Sequence, residues 1–218
     1  MTDERLTVFI DSLYGRNTPF LEELEKKALS EGIPIIKKET QAFLRFLLSY
    51  GNVRNVLEIG TATGFSALFM AELLGEGSLI TTIESYDKRI AEAKVNIEAS
   101  GFPERVRLLT GDAGEILPEL KGPYDLIFID AAKAQYPVYL KEALRLLDEK
   151  GFIVADNCLR GGEILESRFA VERRNRTIHK RMREFLKELT TSEELVSVVL
   201  PVGDGVAAAY RRKKNEET

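Results

Sequence analysis

Chemically specialised residues are scarce in this sequence of 218 residues, which has one cysteine, one histidine and no tryptophan. A lone cysteine, Cys158, excludes an intramolecular disulfide and a cysteine-based zinc cluster, and we expect it to be a small buried apolar side chain. A lone histidine, His179, excludes a two-histidine metal site and argues against a Ser-His-Asp triad; we expect it to be a surface or contact residue rather than a catalyst. Any bound metal must therefore be held mainly by oxygen atoms, which favours magnesium, calcium or manganese.

Long apolar runs and a strong excess of one charge are also missing. No run approaches the roughly 18 residues needed to cross a bilayer. The start, MTDERLTVFI, mixes acidic and basic residues, unlike a cleaved secretion signal, so we expect a cytoplasmic protein. The net charge of -4 does not indicate a nucleic-acid binder, although a local basic patch remains compatible with it. The length predicts one domain over 1–218.

The middle of the sequence alternates short apolar runs with segments of helical period. Near-continuous apolar content predicts strands buried on both faces, as in a parallel sheet covered by helices. The predicted strands span 54–60, 79–84, 106–112, 124–130 and 151–157. The predicted helices between them span about 65–74, 88–100, 114–120 and 136–148, with Gly101 and Gly151 at helix ends.

Two further apolar runs, 195–202 and 205–212, are separated only by Gly203 and Asp204. So short a link cannot hold a crossover helix, so these runs must pair antiparallel. Residues 1–50 look like a helical cap with a break at 32–34. The sequence therefore predicts an α/β fold with a mostly parallel sheet, helices on both faces and a C-terminal antiparallel hairpin.

An acidic residue stands at or near the end of every predicted parallel strand. The five are Glu58, Glu84, Asp112, Asp130 and Asp156. Each alone can be explained as a cap of the following helix. Ligands of open α/β sheets bind at the carboxyl ends of the strands, however, so five acids at that edge predict a ligand-binding cleft.

Charge distinguishes two cofactor classes for this cleft. The turn Gly60-Thr61-Ala62-Thr63-Gly64 allows a close approach of backbone to ligand, and Glu84 suits the hydroxyls of a ribose. A dinucleotide would bring its pyrophosphate among carboxylates, which is unfavourable. S-adenosylmethionine carries a sulfonium and an ammonium, which the same carboxylates attract. Asp130, Asp156 and Asn157 also offer three oxygen ligands to a hard cation.

Five motifs follow one another along the chain: LEIGTATGFS (57–66), Glu84, Gly111-Asp112-Ala113, Asp130-x-x-Lys133 and Asp156-Asn157. Together they resemble the cation-dependent O-methyltransferases, a family that includes the catechol and caffeoyl-CoA enzymes and bacterial relatives. The resemblance spans about 30–212 and includes the order and spacing of the motifs. The resemblance implies a Rossmann-like class I methyltransferase fold with a seven-stranded sheet, and commonly a homodimer.

The resemblance also implies roles for individual residues. Asp130, Asp156 and Asn157 would bind the divalent cation, magnesium or a substitute such as manganese or calcium, and Lys133 would be the general base. Contacts to S-adenosylmethionine would come from Ile36, Glu58, Gly60, Thr61, Ser66, Glu84, Asp112, Ala113 and Asp130.

A basic segment, 159–190, follows the fifth strand and should cover the metal site. We predict a helix from about 171 to 189 with an apolar face and an opposite face that carries Arg173, Arg176, Lys180, Arg183 and Lys187. Such a face is usually only solvated, but a phosphate backbone is its natural counterpart. The run ERRNRTI (172–178) resembles the bacterial branch that methylates 5-hydroxyuridine in the tRNA anticodon. We therefore expect tRNA to contact Arg173, Arg174, Arg176, Lys180 and Arg183.

Two alternatives remain open. The same chemistry could act on small catechol-like phenols or on acyl-CoA esters, since a CoA substrate would also use basic residues. A non-catalytic module that binds S-adenosylmethionine or RNA is the third reading. The presence of Asp130, Lys133, Asp156 and Asn157 argues against it.

Overall fold

The chain folds around one seven-stranded sheet in the computed structural model, which describes residues 4–167 and 169–212. The strands are β1 (Asn55–Ile59), β2 (Leu79–Glu84), β3 (Val106–Thr110), β4 (Tyr124–Ile129), β5 (Leu147–Ala155), β6 (Leu195–Leu200) and β7 (Val206–Arg211). Their order is β3-β2-β1-β4-β5-β7-β6. The first five are parallel, whereas β7 is antiparallel to both β5 and β6. The predicted α/β fold with a C-terminal antiparallel hairpin is confirmed.

Helices precede, connect and follow the strands. They are α1 (Glu4–Leu13), α2 (Pro19–Ser30), α3 (Lys38–Tyr50), α4 (Phe65–Leu74), α5 (Asp87–Ala99), α6 (Ala113–Ile116), α7 (Tyr136–Leu146) and α8 (Arg176–Thr191). The predicted helical N-terminal region is confirmed, with its break between α2 and α3. No helix in the described ranges is long and apolar enough to cross a membrane.

Two apolar layers form on the two faces of the sheet because side chains alternate along each strand. On one face Leu57 and Ile59 of β1 belong to a cluster that includes side chains of α7 and α8. On the other face Val56 belongs to a cluster built with α2, α3 and α4. Glu58 has the same parity as Val56, which directs this carboxyl toward the α4 side of the sheet.

The junction between α7 and β5 differs from the prediction. We expected the helix to continue to 148 and Gly151 to lie at its end. The helix ends at Leu146, and Leu147 already pairs with Tyr124 of β4 across an irregularity. A Cβ atom at Gly151 would lie 2.9 Å from the Tyr124 carbonyl oxygen. This glycine therefore permits a close strand contact rather than ending a helix.

Two other helices are shorter than predicted. The helix expected over 114–120 is a single α-helical turn, α6, followed by a 3-10 turn at Leu117–Glu119 that contains Pro118. The basic helix begins as a 3-10 turn at Arg173–Asn175 and becomes α-helical only at Arg176. Proline lacks a backbone N–H and crowds the preceding turn, which accounts for the first difference.

Candidate active site

Backbone hydrogen bonds continue from strand to strand just past the strand ends. Asp130 N donates to Ile59 O at 2.9 Å, and Asp156 N donates to Ile129 O at 3.0 Å. On the other side Gly60 N donates to Ile83 O at 3.0 Å. The carboxyl ends of the parallel strands are therefore level with one another, which places the predicted acids along one edge of the sheet.

Gly60 is the point where β1 and β4 approach most closely. Its φ of +104° is in the region that favours glycine, and a Cβ atom there would lie 2.1 Å from the carbonyl oxygen of Asp130. No side chain fits at this position without displacing the Asp130 backbone. The glycine thus serves the packing of two strand ends, beside the residues predicted to bind the cofactor and the metal.

Glu58 is fully buried at the C-terminal end of β1. Its carboxyl Oε2 accepts a hydrogen bond from Thr82 Oγ1, directly opposite on β2. Thr82 and Thr61 hydroxyl oxygens are 2.6 Å apart. Because a hydroxyl has one hydrogen, Thr61 is then the donor to Thr82. Burial raises the pKa of Glu58 to about 8, against the opposing effect of the Ser66 and Thr82 hydroxyls.

Glu84 and Asp112 are largely engaged with backbone N–H groups. The Glu84 carboxylate accepts from Ala62 N, Ser85 N and Tyr86 N, each at 2.9 Å. A carboxylate has about four acceptor positions, so about one remains for a ribose hydroxyl. Asp112 caps α6 by accepting from Gly114 N at 2.7 Å. Asp112 is therefore a helix cap, as one reading of the acidic strand ends proposed. The cap uses only one carboxylate oxygen of Asp112, so the second oxygen is left for a ligand.

Lys133 lies between a carboxylate and a phenol. Its Nζ donates to Asp130 Oδ1 at 2.6 Å and to Tyr136 Oη at 2.8 Å. The Lys133 side chain is only 16% exposed, so it is not a solvated surface lysine. Tyr136 is fully buried, and its hydroxyl lies 3.1 Å from Ile129 O and 3.0 Å from Asp156 O. Burial raises the pKa of Tyr136 well above its usual range, so the phenol keeps its proton.

Asp156 is 1% exposed and follows β5 directly. Its Oδ1 accepts from Asn157 N at 2.7 Å and lies 3.5 Å from the Thr40 hydroxyl. Burial, and next the charge of Asp130, raise its pKa to about 7. Asn157 has a φ of +55°, an uncommon conformation for a residue other than glycine that asparagine tolerates best.

These residues have the donor chemistry of a hard-cation site. Asp130 and Asp156 supply carboxylate oxygens close enough for one charge to raise the pKa of the other, and a cation would relieve that repulsion. Asn157 adds an amide oxygen. Within the described residues no group of three or more histidine, cysteine, aspartate or glutamate side chains is arranged to hold a metal. The predicted ligand set differs from such a group because it combines two carboxylates with the amide of Asn157.

The start of α3 closes one side of the site, in a region from which the resemblance implied only a contact from Ile36. Thr40, fully buried on α3, approaches Asp156. Nearby, Lys37 forms a 2.7 Å ion pair with Asp204 in the β6–β7 turn. Tyr136 was also missed, although its position three residues after Lys133 is a helical spacing that could have drawn attention to it. Nothing in the local sequence distinguishes Thr40.

The other predicted cofactor residues occupy varied environments. Ser66 lies at the start of α4 and is half-buried, whereas Thr61 and Ala113 are buried at the same strand-end edge. Ile36 lies just before α3 and is packed within the apolar cluster on the α4 face.

The predicted basic face of α8 exists, but two of its arginines also bind backbone. Arg176 Nε donates to Val171 O at 3.1 Å, and Arg183 Nη1 donates to Ile164 O at 3.0 Å. Both contacts hold the segment between β5 and α8. Arg173 and Lys180 are exposed, as is Arg174, which pairs with Glu172 at 2.7 Å. The predicted apolar face lies on the opposite side of the helix and buries Met182, Phe185 and Leu189.

His179, expected to be a surface or contact residue, is buried and makes its contact within the protein. It is 4% exposed, and its Nε2 lies 3.1 Å from Glu166 O. It therefore joins α8 to the preceding segment, a contact decided by packing.

A cleft of about 680 Å³ runs beside His179, and its walls include Lys180, Arg183 and Lys187, together with Glu166 and Glu184. Cys158 is fully buried as predicted, and burial raises the pKa of its thiol to about 12.

Comparison with known proteins gives consistent matches. The O-methyltransferase family model matches residues 11–213. The catechol O-methyltransferase of Niastella koreensis is 36% identical over 169 residues, which is 75% of this chain and 76% of the relative.

Solved structures share the fold over nearly the whole chain. A Staphylococcus aureus structure described as a caffeoyl-CoA O-methyltransferase superimposes with a TM-score of 0.88 at 30% identity, over 96% of this chain and 100% of that one. The Podospora anserina methyltransferase PaMTH1, solved with SAH bound, gives a TM-score of 0.86 at 25% identity, over 96% and 95%. With its motifs, fold and strand-end acids, this chain belongs to the O-methyltransferase family.

Proposed function

We propose that this protein transfers a methyl group from S-adenosylmethionine to a hydroxyl that lies beside a second oxygen, with help from a divalent cation, preferably magnesium. One observation carries the proposal. Asp130, Lys133 and Asp156 meet at the strand-end edge, where Gly60 touches the Asp130 backbone. The SAH bound to the Podospora relative supports the choice of methyl donor.

The cofactor would lie along β1 and β2. Glu84 has an acceptor position left for a ribose hydroxyl, and the carboxylates of Glu84 and Asp130 make the edge attractive to a sulfonium and an ammonium. Glu58, whose pKa is raised to about 8, would contact the cofactor as a neutral hydrogen-bonding group. The proposed contacts are Ile36, Glu58, Gly60, Thr61, Ser66, Glu84, Asp112, Ala113 and Asp130.

Asp130, Asp156 and Asn157 would hold the cation, which would supply the positive charge that makes deprotonation of the substrate hydroxyl easier. The neutral amine of Lys133 accepts the proton of the substrate hydroxyl, so an O–H bond breaks and an N–H bond forms. The oxygen's electron pair then attacks the methyl carbon, and the electrons of the C–S bond remain on sulfur. Charge is neutralised as the methyl group moves, so exclusion of water favours the transfer.

Asp156→Ala tests the cation assignment. We expect the variant to lose magnesium-stimulated turnover while retaining much of its S-adenosylmethionine affinity by calorimetry, because Gly60 and Glu84 are unchanged. Asp148→Ala, which alters an aspartate at the start of β5 away from the strand-end edge, is the matched control. Full turnover of the wild type in excess chelator would overturn the role of the cation.

For the substrate we propose 5-hydroxyuridine in the tRNA anticodon. This base presents a hydroxyl beside a carbonyl oxygen, a pair that can chelate a cation. The basic face of α8 and the cleft beside it supply Lys180, Arg183 and Lys187 to an anionic partner, in a protein whose net charge is -4. Such local charge of opposite sign is what a phosphate backbone attracts.

Small catechols are the second candidate, because the Niastella relative is a catechol O-methyltransferase. A direct competition decides between them. The purified protein is given labelled S-adenosylmethionine with an anticodon stem-loop that contains 5-hydroxyuridine, with the same stem-loop containing uridine, or with catechol. The tRNA proposal requires transfer to the first RNA, none to the second, and a much lower kcat/KM for catechol. Efficient transfer to catechol alone would establish the small-molecule substrate.

A further inference from the structure

Tyr136 has an environment that ties it to Lys133 rather than to the core alone. It is the first residue of α7, and its ring and that of Phe185 from α8 pack nearly perpendicular to each other at a centroid distance of 5.2 Å. Its hydroxyl reaches the carbonyl oxygens of Ile129 and Asp156, at the ends of β4 and β5. Two helices and two strand ends therefore fix the position of the phenol oxygen.

The bonding directions of Lys133 Nζ follow from this position. A tetrahedral nitrogen has three directions besides its bond to carbon. Asp130 Oδ1 accepts along one, at 2.6 Å, and Tyr136 Oη accepts along a second, at 2.8 Å. The phenol hydrogen is directed to a backbone carbonyl, so its oxygen is free to accept from Nζ. In a neutral amine both N–H bonds are then used, and the lone pair occupies the third direction.

We propose that Tyr136 is a positioning residue: with Asp130 it fixes two directions of Lys133 Nζ and so aims the third at the substrate hydroxyl. The inference rests on the proposed function, in which Lys133 accepts the proton. Asp130 alone would leave Nζ free to rotate about the axis between nitrogen and carboxylate. The phenol removes that freedom. Proton transfer requires such alignment, and a small misplacement of a reacting group is costly.

Tyr136→Phe tests the inference because it removes the phenol oxygen and keeps the ring that packs on Phe185. We expect kcat to fall by about 10- to 100-fold while the KM for S-adenosylmethionine changes less than about twofold. Tyr139→Phe, in the same helix and also buried, is the matched control and should retain kcat. A wild-type kcat in Tyr136→Phe overturns the inference.

A double-mutant cycle separates positioning from a purely structural role. In a Lys133→Gln background, Tyr136→Phe should change kcat by less than about twofold, because the amine that it aims is gone. The same fold-loss in both backgrounds would mean that Tyr136 acts through the Ile129 and Asp156 carbonyls, which overturns the inference. If Lys133→Gln itself keeps the wild-type kcat, Lys133 is not the base and the inference fails with the proposed function. That outcome is distinct from a failure of Tyr136 alone.

A measurement on the wild type guards against a variant that does not fold. Relaxation of the ¹³Cε methylene group should show Lys133 to be rigid, whereas the exposed Lys141 of α7 should be mobile. Tyr136→Phe, where folded, should raise the mobility of Lys133 toward that of Lys141. A Lys133 side chain as mobile as Lys141 in the wild type overturns the inference.

Discussion

At the scale of single residues, the strand-end edge depends on positions with specific steric or electrostatic requirements. Gly60 has two independent constraints, a φ of +104° and the Asp130 carbonyl 2.1 Å from the place of a Cβ atom. Glu58 has a different constraint, since its carboxyl is buried and acquires a pKa of about 8. These constraints lead to separate predictions.

We predict that Gly60→Ala destabilises the fold and weakens S-adenosylmethionine binding at least about tenfold, because the Asp130 backbone must move. Gly101→Ala is the matched control: its φ is +82°, but nothing lies within 4 Å of a Cβ atom there. Gly101→Ala should lower the free energy of unfolding only by the conformational penalty of about 1–2 kcal/mol. Denaturant titration and calorimetry measure both quantities. Equal effects of the two changes would contradict the close-approach argument.

The raised pKa of Glu58 predicts a pH-dependent stability. Between its ordinary value of 4.5 and the folded value of about 8, the folded chain holds a proton that the unfolded chain has lost. Stability contributed by this group is therefore complete below about pH 4.5 and is lost as pH rises toward 8.

Gln at position 58 cannot ionise. The melting temperature of Glu58→Gln should therefore rise relative to that of the wild type as pH increases from 4.5 to 8. The exposed Glu98→Gln is the control and should follow the wild type at every pH. Thermal melts of cofactor-free protein in buffers of constant ionic strength provide the comparison. A difference independent of pH would show that Glu58 is ionised in the folded protein.

At the scale of elements, α8 combines two tasks on one helix. Its apolar face covers the sheet through Met182, Phe185 and Leu189. Its basic face both anchors the preceding segment, through Arg176 and Arg183, and exposes charge, through Arg173 and Lys180. Substitutions must therefore spare the anchors if they are to report on tRNA alone.

For this reason we predict the effect of a double change at Arg173 and Lys180, each to Gln. Binding to tRNA should weaken largely independently of sequence, and the slope of log affinity against log salt should flatten by roughly 1 to 2 units. The affinity for S-adenosylmethionine should be unchanged. Gln at the exposed Lys141 and Lys150 is the charge-matched control. An unchanged salt slope would show that the basic face is only solvated and would favour a small-molecule substrate.

At the scale of the whole molecule, stability comes from two apolar layers on opposite faces of one sheet. Phe128 of β4 is fully buried in the layer beneath α2, α3 and α4, whereas Phe46 of α3 is 71% exposed. The same side chain thus occurs at both extremes of burial.

We expect Phe128→Ala to lower the free energy of unfolding by about 3–5 kcal/mol, since it removes a large buried side chain and leaves a cavity. Phe46→Ala should change it by no more than about 0.5 kcal/mol. Chemical denaturation of both variants gives the comparison. A cost at Phe46 as large as that at Phe128 would indicate that the exposed face of α3 is covered in solution, as in the dimer that the resemblance implies.

The sequence by itself determined the strands, the hairpin, the helical N-terminal region and the acids at the strand ends. These depend on local periodicity and on short links, such as Gly203 and Asp204, that admit one geometry. Boundaries were less well predicted. The start of β5 at Leu147 depends on pairing with Tyr124, and the start of α8 on turns that periodicity does not reveal.

Only the tertiary structure decided which side chains surround the predicted site residues. Thr40 approaches Asp156 from 116 residues away, and Thr82 meets Glu58 because of the register between β1 and β2. The burial of His179 and the contact of Tyr136 with Lys133 likewise depend on how α7 and α8 pack on the sheet. Local patterns constrain neighbours two to four positions apart. The environment of a buried polar group is set instead by whichever distant segment packs against it.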